Sequence, residues 1–416
     1  MALTSRREEI RRVMRKIFCT LLLFVLLGNG GFAQQRLVNE VKKDIGGMSL
    51  TVDNYKAALK KINVALGNEE TRAKAETWWV AGKIQYSIYD KMMNNKASGE
   101  KIKSTEAGLA LLDGYEKFQE SLSRDTVWRV DKKGNPIIDK KTKKQKIATK
   151  YSQDIMNRVV DHVVDYSAVA GDFYLASDWN NAYKAWEIYC SIAKSEWVKQ
   201  KKKEEPDSIV GYNRFFQGLA AYQAGDNENA VRCMEKANAL GYRKKPLYDT
   251  WIDALIKLQD TIYMVSVAHE AHDRLGARDP RYVRILINYY LRNKSFDEAQ
   301  LLLDEVIASD STVAEYYGLK GRLVETQESI DAALPLYRKA VELAPESSMG
   351  LFDLGKALYN KALTESDPRS DGAKELFIEA LPYLEKSYKI NPRNSDLKKI
   401  LSRIYYVLGS NKIDEL

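Results

Sequence analysis

A repeated small residue constrains the fold of this 416-residue chain more than any other feature. An alanine or methionine recurs near the start of six helix-sized segments, with gaps of 34, 35 and 34 residues inside the series and 48 and 47 residues at its two ends. The six positions are Ala182, Ala230, Met264, Ala299, Ala333 and Ala380. A fixed period of this length predicts stacked helical hairpins, because one hairpin cannot bury its apolar face alone. Each outer gap is one period plus an insert.

The segment from Tyr317 to Pro345 shows the repeat most completely. Gly321 would let two helices approach closely, and Ala333 would fit a point where helices cross. Pro345 would end the second helix, because proline lacks a backbone N–H and its ring clashes with the preceding turn. This pattern resembles the tetratricopeptide repeat, and the residues that carry it are Tyr317, Gly321, Ala333, Tyr337, Ala340 and Pro345.

The resemblance extends over roughly residues 70–395 and implies an all-α, right-handed solenoid of helical hairpins. We expect a helical part over residues 34–126, a small lysine-rich β-hairpin insert over 127–150, repeats over 151–394 and a C-terminal capping helix over 395–416. In this family the first helix of each repeat lines a concave groove that holds a protein or peptide partner. The resemblance therefore implies an interaction scaffold and no enzymatic activity.

The N-terminus resembles a secretory signal over residues 1–33. Arg15 and Lys16 precede an apolar run of 11 residues, and Gly31 to Ala33 offers small residues for cleavage before Gln34. Eleven residues are too few for a membrane span, which needs about 20. Met14 is the expected true start, because the preceding acidic pair does not suit a signal sequence. We expect an exported protein of the periplasm of a Gram-negative bacterium.

The net charge bears on nucleic-acid binding, and the cysteines bear on disulfide formation. The formal net charge is +8, and removal of residues 1–33 takes away six basic and two acidic residues, which leaves +4. This balance gives no case for nucleic-acid binding. The remaining cysteines, Cys190 and Cys233, are expected to be buried thiols, because a large helical stack needs no disulfide.

Three inserts interrupt the helical pattern, and the one over residues 363–372 is expected to lengthen a helical hairpin. Residues 127–150 alternate around Trp128, turn at Gly134 to Pro136 and carry eight lysines. One interpretation is a solvated, mobile loop, and the other is a contact arm for an acidic partner or a phospholipid surface, with Trp128 as its anchor. Residues 194–207 mix lysines with glutamates and are expected to form an exposed linker.

The sequence offers little catalytic chemistry. His162 lies on an apolar helical stretch, where a packed or exposed histidine is more common than a catalytic one. His269 and His272 share one helix face, and we interpret them as a surface pair, with metal binding as the alternative. Phosphate-binding loops and nucleophile motifs are missing from the sequence. We expect no cofactor and no metal site.

The expected partner-binding residues lie on first helices. Arg281, Arg284, Asn288 and Arg292 share one face of a helix, and Glu315, Arg322 and Glu325 follow in the next repeat. The cation–asparagine pairing resembles the carboxylate clamp of some family members, which suits an acidic segment or a C-terminal carboxylate. Only one repeat shows this pairing, and a solvated face is the alternative.

Tyrosines form the second group of expected groove residues. Tyr86, Tyr174, Tyr222 and Tyr359 fall at groove-facing positions, and the chain has 25 tyrosines in all. Tyrosine combines apolar area with a polar tip and therefore suits interfaces. Stacking of sugars on these rings keeps a glycan-binding module open as the alternative function.

Overall fold

The computed structural model describes residues 34–47, 49–201, 203–276 and 279–412. The expected signal sequence and the alternative start at Met14 lie outside these ranges. The chain divides into two compact units, residues 1–242 and residues 243–416, which we call the N-terminal and C-terminal units. Both consist of helices joined by short turns, which confirms the predicted all-α fold of helical hairpins. The division falls within the segment 151–394 that the sequence suggested was continuous.

The N-terminal unit contains α1 to α11 and one pair of short strands among its described residues. A first helix, α1, covers residues 34–44. The other elements are α2 (Val52–Gly67), α3 (Glu69–Arg72), α4 (Ala75–Ala97), α5 (Ser104–Arg124), β1 (Val127–Trp128), β2 (Ile147–Ala148), α6 (Ser152–Asp161), α7 (Val163–Leu175), α8 (Trp179–Ala193), α9 (Glu196–Gln200), α10 (Asp207–Gln223) and α11 (Asn227–Ala239).

The C-terminal unit is a series of hairpins followed by one last helix. Its elements are α12 (Lys245–Leu258), α13 (Thr261–Leu275), α14 (Pro280–Asn293), α15 (Phe296–Ser309), α16 (Ala314–Gln327), α17 (Ile330–Leu343), α18 (Ser348–Ala362), α19 (Asp371–Ile390) and α20 (Ser395–Leu408). We call α12, α14, α16 and α18 the first helices of this unit, since each opens a hairpin.

The repeated residues lie where the period predicts them. All five alanines of the series are completely buried in the second helix of a hairpin, and Met264 is half-buried in α13. A glycine of the first helix packs against the same part of the second helix in several hairpins. A Cβ atom added to Gly321 would lie 2.6 Å from Tyr337 Cε1, and one added to Gly355 would lie 2.6 Å from Leu384 Cγ. These glycines therefore permit the close approach of the two helices.

The turns inside the hairpins also repeat. In four of them a residue with positive φ ends the first helix and the N-cap of the second helix follows directly. In three of the four the N-cap is aspartate, and its carboxylate accepts a hydrogen bond from the third amide of the new helix. The positive-φ positions are Ser177, Gly225, Gln259 and Lys294.

The last full hairpin departs from the simple period. Helix α19 begins at Asp371, so Ala380 lies in the middle of the helix, whereas Ala333 lies in the first turn of α17. The insert before α19 has thus become a loop and extra turns of helix. The linker expected at 194–207 likewise contains a short helix, α9, which buries Val198. That segment is therefore partly packed and not simply an exposed linker.

The C-terminal helix has the predicted position. Helix α20 buries Leu397, Ile400, Leu401, Ile404 and Tyr405 on one face, and Gly409 follows it with φ +65°. Among the residues that the structure describes, no helix is long and apolar enough to span a membrane.

Candidate partner-binding face

The polar stripes of the first helices form the candidate site. In α14, Tyr282, Val283, Leu286 and Ile287 are buried, while Arg281, Arg284, Asn288 and Arg292 keep polar atoms at the surface. The spacing of three or four residues places each set on one side of the helix. Helix α14 packs beside α16, and α16 packs beside α18. We call the polar stripes of α12, α14, α16 and α18 the first-helix face.

Ion pairs connect neighbouring helices along this face. Arg281 of α14 donates to Asp249 and Asp253 of α12, at 3.0 and 2.5 Å. Asp249 also accepts from the Tyr282 hydroxyl at 3.0 Å. A carboxylate of one first helix therefore holds a guanidinium of the next.

The same arrangement recurs towards the C-terminus. Arg284 of α14 donates to Glu315 of α16 at 2.6 Å. Arg322 of α16 donates to both oxygens of Asp353 of α18, at 3.0 and 2.8 Å. Three of the four arginines expected to bind a partner are thus engaged with carboxylates of the chain itself. Asp249, Asp253 and Asp353 were not predicted as site residues, although opposite charges 31 or 32 residues apart recur in this part of the chain.

Burial changes the acidity of these carboxyl groups. Desolvation raises the pKa of Glu315, although Arg284 opposes the shift. Desolvation also raises the pKa of Asp353, against the opposing effect of Arg322. Each carboxylate consequently depends on its arginine to remain ionised in the folded chain.

Asn288 and Arg292 differ from the other residues of this stripe. Both side chains are exposed on α14, one turn apart. Within the described parts of the chain, Arg292 has no ion pair with a carboxylate. A guanidinium and an amide in this position can bind the carboxylate and the backbone of another chain.

A small pocket opens between α16 and α18. Its volume is about 40 Å³, and its walls include Glu315, Gly318, Arg322, Met349 and Asp353. Gly318 leaves space here, because an added Cβ would meet only Asp353 Oδ2, at 3.7 Å. This volume suits a few waters or a short side chain, whereas small-molecule sites occupy about 300–1,000 Å³.

The tyrosines do not form the set of groove-facing residues that the sequence suggested. Tyr86 is completely buried, and its hydroxyl is hydrogen-bonded to that of Tyr166. Tyr359 is 5% exposed, and its hydroxyl accepts from Arg403. Tyr174 and Tyr222 are half-buried and lie in the N-terminal unit. The assignment of Tyr86 and Tyr359 to an open groove is corrected. Their rings pack in the apolar interior instead of lying at the surface.

His162 lies in a buried polar cluster of the N-terminal unit. Its Nε2 lies 2.8 Å from Asp90 Oδ1, and its Nδ1 lies 2.8 Å from the Arg158 carbonyl oxygen. Burial alone would lower the pKa of His162, but the hydrogen bonds to Asp90 and Arg158 outweigh it and raise the pKa above 6.5. The histidine is packed, which was one of the two expected positions.

The other histidines do not form the surface pair that was expected. His272 is 7% exposed, whereas His269 is half-buried and lies 3.0 Å from the Tyr290 hydroxyl. No group of three or more metal-binding side chains occurs in the described ranges. Cys190 and Cys233 are free and buried, as predicted, and burial raises their pKa values to about 12 and about 11.

Several solved structures are similar to this chain. YrrB, described as a TPR protein with an unusual peptide-binding site, is 15% identical, with a TM-score of 0.32 over 48% of this chain and 94% of that chain. MamA from Desulfovibrio magneticus RS-1 is 20% identical, with a TM-score of 0.33 over 46% and 98%. Human IFIT1 is 15% identical, with a TM-score of 0.37 over 67% and 71%. These low scores transfer no function. No curated protein matches the chain significantly.

One segment of the sequence matches a known family model. Residues 286–348 match the model of the tetratricopeptide repeat. The match runs from the middle of α14 through α15, α16 and α17 to the start of α18, and includes Asn288, Arg292, Arg322 and the close contact of Gly321 with Tyr337. Residues 286–348 of the chain are therefore similar to the tetratricopeptide repeat.

Proposed function

We propose that the chain is a scaffold that holds a protein or peptide segment on the first-helix face of its C-terminal unit. The observation that carries this proposal is the pairing pattern of that face. Arg281, Arg284 and Arg322 are held by carboxylates, whereas Asn288 and Arg292 are exposed beside them. The match of residues 286–348 to the tetratricopeptide repeat supports a protein or peptide as the partner.

The paired and exposed residues have different roles in this proposal. The paired arginines fix neighbouring helices, so the face is formed before the partner arrives. Arg292 binds an acidic side chain or a C-terminal carboxylate, and the Asn288 amide bonds to the partner's backbone. The pocket beside Gly318 accepts a short side chain.

Site-specific photo-crosslinking tests the location of the partner. We would place a photoreactive residue at Asn288 and, as a control, at Leu301, which is 71% exposed on the second helix α15. We expect one protein to be captured in cells from position 288 and not from 301. Equal capture from both positions, or capture from 301 alone, would contradict the proposal.

A charge reversal tests the role of the guanidinium. Arg292→Glu should reduce capture from position 288 by about tenfold or more, because a charge that attracts the partner's carboxylate is replaced by one that repels it. Arg393→Glu makes the same change in charge at an exposed residue outside the first helices. Equal capture by the two variants would exclude Arg292 as the residue that binds the partner's carboxylate.

We further propose that this scaffold is exported to the periplasm of a Gram-negative bacterium. The support is the pattern of residues 15–33, in which a basic start precedes an apolar run. Mass spectrometry of the purified cellular protein should find Gln34 at its N-terminus. Leu22→Arg with Leu26→Arg should leave the protein uncleaved in the cytoplasm. A wild-type chain that keeps residues 15–33 and stays in the cytoplasm would contradict export.

The structure gives less support to glycan binding. Tyr86 and Tyr359 would have to leave the interior before a sugar could stack on them. We therefore retain the protein scaffold as the proposed function.

A further inference from the structure

The insert over residues 127–150, which we call the hairpin arm, has a defined fold. Strands β1 and β2 pair antiparallel at its base, with Trp128 opposite Ile147. Further out, Val130 lies opposite Pro136 and Ile138 lies opposite Gln145. The arm is therefore a small folded element with two turns at its tip.

This pairing collects apolar side chains on one face. Side chains alternate along a strand, so Trp128 and Val130 share a face, and paired residues share it across strands. The same rule adds Ile147, opposite Trp128, and Ile138, two residues after the partner of Val130. These four side chains are 60%, 53%, 51% and 49% exposed, in the order Trp128, Val130, Ile147 and Ile138.

Positive charge surrounds this apolar face. The arm holds eight lysines and Arg129 against two aspartates, a net charge of +7. Both aspartates accept hydrogen bonds from backbone amides of the turns, Asp131 from residues 133 and 135 and Asp139 from residues 141 and 142. The aspartates thus shape the turns that carry the lysines at the tip.

The base of the arm is fixed to the helical body. Asp125 is 3% exposed and accepts hydrogen bonds from the amides of Lys150, Tyr151 and Ser152, at 2.7 to 3.1 Å. These bonds overcome the effect of burial and lower the pKa of Asp125. The arm consequently leaves the body from a fixed point between α5 and α6, which differs from a wholly mobile loop.

We propose that the hairpin arm binds an anionic phospholipid surface and brings the scaffold to a membrane. Tryptophan and aliphatic side chains enter the interfacial layer, while lysines bind the lipid phosphates. Each basic residue near such a surface adds roughly a factor of five to the binding constant. Lysine outnumbers arginine eight to one in the arm, which suits a diffuse anionic surface better than paired carboxylates of a protein.

Co-sedimentation with lipid vesicles tests this proposal. The chain from Gln34 onwards would be mixed with vesicles of phosphatidylcholine alone or with about one third phosphatidylglycerol. We expect binding to the anionic vesicles only and a loss of binding at high salt, since salt screens these charges. The absence of sedimentation with anionic vesicles would overturn the proposal.

Two pairs of variants separate charge from apolar contact. Binding should weaken at least about tenfold in a variant that combines Lys132→Glu, Lys133→Glu and Lys141→Glu. The control combines Lys43→Glu, Lys60→Glu and Lys257→Glu and should bind normally, although its change in net charge is the same.

Trp128→Ser with Ile147→Ser should also weaken binding. Ile262→Ser with Leu301→Ser is the control, since the Ile262 and Leu301 side chains are exposed on helices. Equal effects of arm and control variants would contradict the assignment of the site to the arm.

Two other occupants would give different results. An acidic protein partner would be captured by a photoreactive residue at Trp128 while vesicles fail to bind. A second copy of the chain would appear as a dimer in light scattering that Trp128→Ser with Ile147→Ser abolishes. Either result without vesicle binding overturns the lipid proposal. Circular dichroism checks that each variant keeps the helical fold, since the arm contributes no helix.

Discussion

At the scale of single residues, close helix contacts depend on glycine. Gly321 faces the ring of Tyr337, and Gly355 faces Leu384, at distances that leave no space for a methyl group. Gly318 lies on the same helix as Gly321, yet its surroundings are open. The neighbouring packing therefore decides what a methyl group would do at each position.

Alanine substitutions should separate these two environments. We expect Gly321→Ala to lower the free energy of unfolding by about 1–3 kcal/mol, because the added methyl group overlaps the Tyr337 ring. Gly318→Ala should instead raise it by about 0.5–1 kcal/mol, since alanine favours the helix. Urea denaturation followed by circular dichroism measures both. A loss of stability in Gly318→Ala would show that its space is needed.

His162 should make stability dependent on pH. Its pKa is raised above 6.5 in the folded chain, so its contribution is complete below the unfolded pKa and is lost as pH rises through the folded pKa. We expect the wild type to lose more stability than His162→Gln as pH rises above about 6.5. Thermal unfolding at several pH values measures the difference, and identical pH profiles would contradict it.

His269 provides the matched control for this experiment. Burial lowers its pKa below 6.5, so its contribution is present above the unfolded pKa and is lost as pH falls. The wild type should therefore gain stability relative to His269→Gln as pH rises towards about 6.5 from below, with little further change above it. The two histidines predict opposite slopes.

At the scale of elements, charged pairs link one first helix to the next. The Arg322–Asp353 pair joins α16 to α18, and the Asp353 side chain is 10% exposed. Removal of the arginine leaves a buried carboxylate without its counter-charge. The pair therefore links α16 to α18, whatever its net contribution to stability.

A double-mutant cycle should show this dependence. We expect Arg322→Met to cost about 2 kcal/mol of unfolding free energy, and Arg322→Met with Asp353→Leu to recover most of it. Arg338→Met is the control, because its pair with Glu379 is exposed and should contribute less than about 1 kcal/mol. Additive effects of the two substitutions in the cycle would show that the residues do not interact.

The sequence predicted the helices better than the candidate site. The sequence predicted the roles of Gly321 and Ala333 and the apolar face of α20. These features depend on the repeat period and on helical spacing, which involve residues close in sequence. Ion pairs such as Arg322–Asp353 could not be predicted in this way. They depend on which turns of neighbouring first helices lie side by side. The burial of Tyr359 was also hidden, since a tyrosine at helical spacing suits an interior and a surface equally.

At the scale of the whole molecule, the chain consists of two compact units. The division falls between α11 and α12, in a connection rather than within a helix. In a repeat protein, each hairpin depends mainly on its neighbours for stability. A unit that keeps its hairpins complete should therefore remain folded on its own.

Separate expression of the C-terminal unit tests this expectation. Residues 243–416 should unfold cooperatively and should keep the crosslink from position 288, because the first-helix face lies within them. Residues 243–366 are the control, since they lack α19 and expose Leu354 and Leu358 of α18, which are buried in the unit. If both fragments behave alike, the unit boundary has no energetic meaning.

The buried cysteines have a practical consequence. Cys190 and Cys233 both lie in the N-terminal unit, and their raised pKa values leave almost no reactive thiolate near neutral pH. A maleimide or disulfide reagent should modify them only when that unit opens. The rate of modification therefore reports how often the N-terminal unit opens. An engineered surface cysteine can carry a fluorophore without prior removal of Cys190 and Cys233.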